Sequence, residues 1–173
     1  MKLVDAARCP YCARVRIALA EKGIEHDVMQ VDLSDRPQWL RELNPPYGRV
    51  PVLDGLPESE VIMELLEELH PEPALLPTEP EARARARVQV HRFDANLGDD
   101  YYAYRRGDPN DLAAKLETLD VGQSLFADIA YVPWVIRARD MLGVDLPERI
   151  AGWLADLEQR PSVAAEVEIV RGL

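Results

Sequence analysis

The sequence predicts a small α/β domain followed by an all-α domain. Three observations carry that prediction. Short extended stretches alternate with helical ones up to about residue 70, the proline-rich stretch PEPALLPTEPE interrupts the chain, and everything after it has helical periodicity. The boundaries read from the sequence are a first domain over 1–70, a linker over 71–77 and a helical domain over 78–173.

The elements follow in order. KLVDA reads as a strand, and a helix starts after Cys9 with Val15, Ala18 and Leu19 on one face. Gly23 suits the left-handed position after that helix, with Ile24 folding back on the last turn. EHDVMQVDL is a second strand, and SDRPQWLREL a short helix with Ser34 as its cap. NPPYGRVPVLDG leads into a third strand around Val50–Leu53. SEVIMELLEELHP is an amphipathic helix with Val61, Ile62, Leu65, Leu66 and Leu69 on its apolar face, stopped before Pro71.

In the second domain, Thr78 and Glu81 have capping-box spacing, and a long helix is expected from about Glu81 to Tyr104. A further helix opens at DPND, with Asp108 as N-cap and Pro109 in the first helical position. FADIAYVPWVIRARDML is a helix with an expected kink at Pro133, and PERIAGWLADLEQ is another, preceded by Asp145.

Composition narrows the function. The chain has 173 residues, 47% hydrophobic and 29% charged, with a net charge of −11. That charge argues against nucleic acid or an anionic membrane surface as partner. No apolar run approaches the roughly 20 residues of a membrane span. The N-terminus MKLVDAARCPYC lacks the apolar core of a secretory signal, so the cytoplasm is the expected compartment. Thiols stay reduced there.

The two cysteines, Cys9 and Cys12, stand together in RCPYCARVRIALAEKG. A zinc site needs two further soft ligands, and His26, His70 and His91 are scattered. A structural disulfide over so short a loop constrains little. Two readings are left: buried cysteines serving as small apolar residues, or a reactive thiol. Local physics favours the thiol. Pro10 at the first helical turn puts Cys9 at the N-cap, where free N–H groups and the helix dipole stabilise a thiolate. Arg8, Arg14 and Arg16 flank it, with no acid between Asp5 and Glu21. Cys12, one turn further in, is placed to resolve a mixed disulfide, so Cys9 is expected to attack.

Taken together, CPYCARVRIALAEKGI, GRVPVL, PESEVIMELLEE, ADIAYVPW and WLADLEQRPSV resemble the glutathione transferase superfamily. The likeness is to its cysteine branch, the omega-type transferases and two-domain glutaredoxins. It implies a thioredoxin-like N-terminal domain and a helical-bundle C-terminal domain, usually paired as a homodimer. It implies catalysis by Cys9 and Cys12, with glutathione as co-substrate held by Pro10, Tyr11, Arg49, Val50, Pro51, Glu58 and Ser59.

In that pattern a cis bond at Val50–Pro51 lets the Val50 backbone pair with the cysteinyl part of glutathione. Glu58 meets the γ-glutamyl ammonium, Ser59 the adjoining carboxylate, and Arg49 the glycyl carboxylate. Read without the resemblance, Pro51 is a strand-start proline, Ser59 a helix cap and Arg49 a solvated loop charge. Tyr101, Tyr104 and Trp134 are candidates for a second-substrate pocket, or else packing residues.

The departures also matter. Cys9 stands where conjugating classes carry a hydroxyl, which shifts the expected chemistry from conjugation to thiol–disulfide exchange. VPVLDGLPESEV is short for the usual hairpin, so the fourth strand is expected to be vestigial. Leu125 replaces the usual hydroxyl before Asp128, with Ser124 one position early, which weakens the expected cap there. The final helix reads as cut short. A non-catalytic protein of the same fold, binding a partner through the helical domain, is the alternative from another class.

Overall fold

The computed structural model describes residues 1–173. The chain divides into two compact units, Met1–Ala74 and Leu75–Gly172.

In the first unit, β1 (Lys2–Asp5), α1 (Pro10–Glu21) and β2 (Asp27–Gln30) form a βαβ unit with β1 and β2 parallel. α2 (Gln38–Leu43) follows, then β3 (Val52–Leu53), β4 (Leu56–Pro57) and α3 (Ser59–Leu69). The sheet order is β2-β1-β3-β4, with β3 antiparallel to both neighbours. α1 ends as Gly23 predicts: Gly23 has φ +63°, its N–H bonds Ala20, and the Ile24 N–H bonds Leu19. These are the paired bonds of a Schellman cap, and Gly23 carries the conformation side chains resist. The fourth strand is two residues long, yet it makes a true hairpin. Asp54 and Gly55, at φ +47° and +87°, form the two-residue turn that matches strand twist.

Three expectations for this unit change. Ser34 does not cap α2, which starts four residues later; its N–H and hydroxyl bond Asp32 Oδ1 instead, holding that carboxyl below its usual range. The extended stretch around β2 pairs over only four residues, because it is an exposed edge strand. On α3 the buried face is Ser59, Ile62, Met63 and Leu66, while Val61 and Leu69 are exposed. Packing against α1 chose the face. Burying Ile62, Met63 and Leu66 contributes roughly 1.5–3 kcal/mol each.

The second unit is helical. α4 (Pro80–His91) leads through a π-helical stretch, Asp94–Gly98, into α5 (Asp99–Arg106). The long helix expected from Glu81 to Tyr104 is therefore interrupted rather than regular. α4 begins at Pro80 with Glu79 at the N-cap, so Thr78 makes no capping box. α6 (Leu112–Glu117) is capped by Asp111, whose carboxylate accepts from the Ala114 N–H, so the cap lies three residues beyond Asp108 and Pro109 precedes the helix.

α7 (Leu125–Asp140) runs on through Pro133 and is buried from Phe126 to Ala138 on all sides, as a central core helix should be. Ser124 does cap it, accepting from the Ala127 N–H at 3.2 Å. Asp128 turns back to accept from the Gly122 N–H at 2.8 Å and from Trp153 Nε1 at 3.0 Å. α8 (Glu148–Leu157) and α9 (Pro161–Arg171) complete the unit. A buried pair, Arg137 Nη2 to Glu166 Oε1 at 2.9 Å, ties α9 to α7. No helix is long and apolar enough to cross a membrane.

Candidate functional site

The site starts at the junction of β1 and α1. The Cys9 N–H bonds the Ala6 carbonyl at 2.8 Å, closing the turn after the strand. Cys9 then takes the N-cap position with extended backbone, Pro10 follows as the first helical residue, and the first turn holds no acid. The residue is thereby placed at the N–H end of α1, although its sulfur makes no capping bond there. Both cysteines are free thiols, Cys9 at 8% exposure and Cys12 at 0%. Burial pushes the Cys12 thiol far above its ordinary value, with the Cys9 thiol and the Asp5 carboxylate adding to the effect.

Beneath the thiols, Val4, Ala6, Leu40, Val50 and Val52 form one apolar cluster with Cys9 and Cys12, and Tyr11 packs against its side. The Cys9 Sγ lies 3.8 Å from the Val50 carbonyl oxygen. The Val50–Pro51 peptide is cis. Val50 and Pro51 are buried, while Arg49 is exposed, its guanidinium 4.8 Å from the centre of the Tyr47 ring.

Two of the three flanking arginines are engaged, and Arg8 is the exposed one. Arg16 is bound to the buried Asp5 carboxylate at 2.5 Å. Arg14 is 3% exposed, and its Nη1 donates to Ser59 Oγ at 3.3 Å. Asp5 brings a negative charge under the site that no gap in the local sequence could reveal.

Ser59 is the first residue of α3 and not its cap. Glu58 holds the N-cap, with φ +71° and no side-chain capping bond. Such a backbone costs about 1–3 kcal/mol for a residue with a Cβ, and it is characteristic of ligand sites. Ser59 is 5% exposed and Glu58 is exposed, so the first turn of α3 presents its N–H groups beside a carboxylate.

The structure thus brings Cys9, Pro10, Tyr11, Val50 and Pro51 together, and links Ser59 to α1 through Arg14. The three aromatic candidates of the helical unit do not form one group. Trp134 is fully buried, 4.2 Å from Phe93 between ring centres, and belongs to the core. Tyr101 is 3% exposed and stacks edge-on against Tyr102, while Tyr104 is half-buried. For Trp134, of the two readings open from the sequence, the structure shows packing: as part of an all-round buried helix it has no free face. No group of three or more His, Cys, Asp or Glu side chains is placed to hold a metal ion.

Comparison with known proteins agrees with this architecture. Residues 3–74 match the glutathione S-transferase N-terminal domain family. A stringent starvation protein A homolog of Coxiella burnetii is 40% identical over 113 residues, which are 63% of this chain and 54% of that protein. Mouse glutathione S-transferase omega-1 is 37% identical over 90 residues, 49% of this chain and 37% of that one. The matched stretch thus spans about half or less of these two relatives. Among solved structures, glutathione transferase Omega 1C of Trametes versicolor superposes with a TM-score of 0.80 at 27% identity, over 99% of this chain and 93% of its own. The first unit is accordingly a thioredoxin-like domain that belongs to the glutathione S-transferase N-terminal domain family, the second is a helical bundle, and the whole chain has the glutathione transferase fold.

Proposed function

We propose that the chain is a glutathione-dependent thiol transferase of the cytoplasm, acting as a homodimer and with Cys9 as its nucleophile. The observation that carries the reading is the placement of Cys9. It sits at the N-cap of α1, one buried turn before Cys12, with its sulfur beside the Val50 carbonyl. A thiolate is stabilised at such a helix end, whereas burial keeps Cys12 protonated. This contrast supports different roles for two chemically identical groups.

Glutathione would lie with its cysteinyl part against the Val50 backbone and its γ-glutamyl end at Glu58 and Ser59. Pro10 and Tyr11 would flank its sulfur. Arg49, now over the Tyr47 ring, would meet the glycyl carboxylate. In the reaction, the Cys9 thiolate attacks the glutathione sulfur of a mixed disulfide. The old S–S bond breaks, the product leaves as a thiolate, and Cys9 carries glutathione. A second glutathione thiolate attacks that sulfur, forming oxidised glutathione and returning Cys9. In the absence of further glutathione, Cys12, once its proton passes to solvent, can attack the Cys9 sulfur, forming a Cys9–Cys12 disulfide and releasing glutathione as a thiolate, and a further thiol must then reduce that disulfide before the next turnover.

A second reading keeps the fold but leaves the thiol idle, with the protein binding a partner. The low exposure of Cys9, 8%, favours it. One experiment separates the two: titrate the purified protein with glutathione in a calorimeter, and assay release of glutathione from a mixed disulfide. Binding with exchange that disappears in Cys9→Ser supports the transferase. Absence of both in the wild-type protein sinks it.

A further inference from the structure

Arg14 lies five residues after Cys9 on α1, and its side chain is withdrawn from water at 3% exposure. Its guanidinium carbon stands 5.1 Å from the centre of the Tyr11 ring, and its Nη1 donates to Ser59 Oγ at 3.3 Å. One cation therefore connects Tyr11 beside the thiol to the first residue of α3, across 45 positions of sequence.

We infer that Arg14 is a positioning residue that sets the polarity of the Ser59 hydroxyl. This rests on the thiol-site reading above. A serine hydroxyl has one proton to give and two lone pairs to offer, while a guanidinium only donates. The bond from Arg14 occupies a lone pair of Ser59, and the hydroxyl cannot donate back to the arginine. The N–H groups of the first turn of α3 are donors as well. On the Arg14 side Ser59 thus meets only a donor, and its own proton is turned away to an acceptor that the arginine cannot supply.

The chemistry that fits is a carboxylate arriving at the first turn of α3, where the helix dipole also favours negative charge. Arg14 does not lose its proton in the working pH range, so the polarity holds at every such pH. The consequence is selectivity. The site should distinguish a thiol with an α-carboxylate at its γ-glutamyl end from one without it. That discrimination should depend on Arg14, although Arg14 itself need not touch the ligand.

The test uses glutathione and its analogue lacking the α-carboxylate, 4-aminobutyryl-cysteinyl-glycine, titrated into wild type and Arg14→Met. In wild type, loss of the carboxylate should weaken binding by about tenfold or more, as for one hydrogen bond to a charged group. In Arg14→Met the same change should fall below about threefold, and Arg14→Lys, which can also donate, should restore part of it. A merely structural arginine would lower both affinities and leave their ratio unchanged.

If Arg14→Met does not fold, arginine-labelled wild-type protein decides by NMR. Glutathione should shift the Arg14 guanidinium signals and slow their proton exchange, and the analogue should do so much less. Equal discrimination in wild type and variant, or an equal NMR response to both thiols, overturns the inference alone. So does wild type binding both thiols equally well. Failure of wild type to bind either overturns the thiol site and this inference together.

Discussion

The sulfur of Cys9 and the carbonyl oxygen of Val50 lie 3.8 Å apart, although 41 positions separate them in the chain. This contact closes the loop after β1 onto the cis turn before β3. Cys12 lies behind it, fully buried.

The first prediction follows from that asymmetry. Cys9→Ser should abolish thiol transfer, and Cys12→Ser should keep most of the activity that uses glutathione to resolve the intermediate. Limited iodoacetamide at neutral pH should label Cys9 first, because desolvation holds the Cys12 thiol protonated. Mass mapping of the labelled peptide checks it, and equal or preferential labelling of Cys12 refutes the assignment.

At the far end of the site, Ser59→Ala and Glu58→Ala should each weaken glutathione binding while the fold survives. Loss of one hydrogen bond to a charged group costs about 1.5–3 kcal/mol, or about one to two decades in affinity. Calorimetric titration of both variants is the measurement. Wild-type affinity in both would reduce the pair to a helix start.

Asp128 yields a pH-dependent prediction. Burial raises its carboxyl above the ordinary 3.8, against the bonds from Gly122 and Trp153 that pull it down. A raised folded value means the native state holds this proton more tightly than the unfolded chain does. Its contribution to stability is therefore greatest below pH 3.8 and declines as pH rises through the higher folded value. Asp128→Asn keeps an oxygen acceptor but cannot titrate. The difference in melting temperature, wild type minus variant, should fall as pH rises through that window, and a flat difference from pH 3 to 7 refutes the argument.

Assembly supplies the last prediction. Val61 and Leu69 are exposed on α3, at 49% and 54%. Arg85 on α4 spends its charge on Glu81 one turn earlier, leaving α4 less cationic than its arginines suggest. We expect a homodimer that uses the apolar α3 face with electrostatic support, weakened by Val61→Arg and by salt near 1 M, where screening acts over about 3 Å. Sedimentation equilibrium at low and high salt reads this directly. A single monomeric species at low salt and micromolar concentration excludes the dimer.

What the sequence determined by itself was local. The β–α–β order and the helical second half followed from periodicity, and they are the observed architecture. Cys9 at an N-cap followed from Pro10, and the Schellman turn from Gly23, because both depend on backbone angles within a few residues. The cap positions that were misread, at Ser34, Thr78 and Asp108, are equally local. At each, a competing proline or Asx residue nearby shifted the helix start, and propensity alone does not rank such rivals.

What only the tertiary structure decided were meetings of distant residues. Arg14 reads as a charge beside a thiol until packing of α1 on α3 buries it against Ser59. Asp5 is an ordinary strand residue until Arg16 and the buried Cys12 gather near it. Trp134 resembles a pocket residue until its helix is enclosed on every side. The physical reason is the same in each case. A side chain's charge state, donor role and exposure are set by the neighbours that desolvate it, and those neighbours come from parts of the chain that periodicity cannot connect.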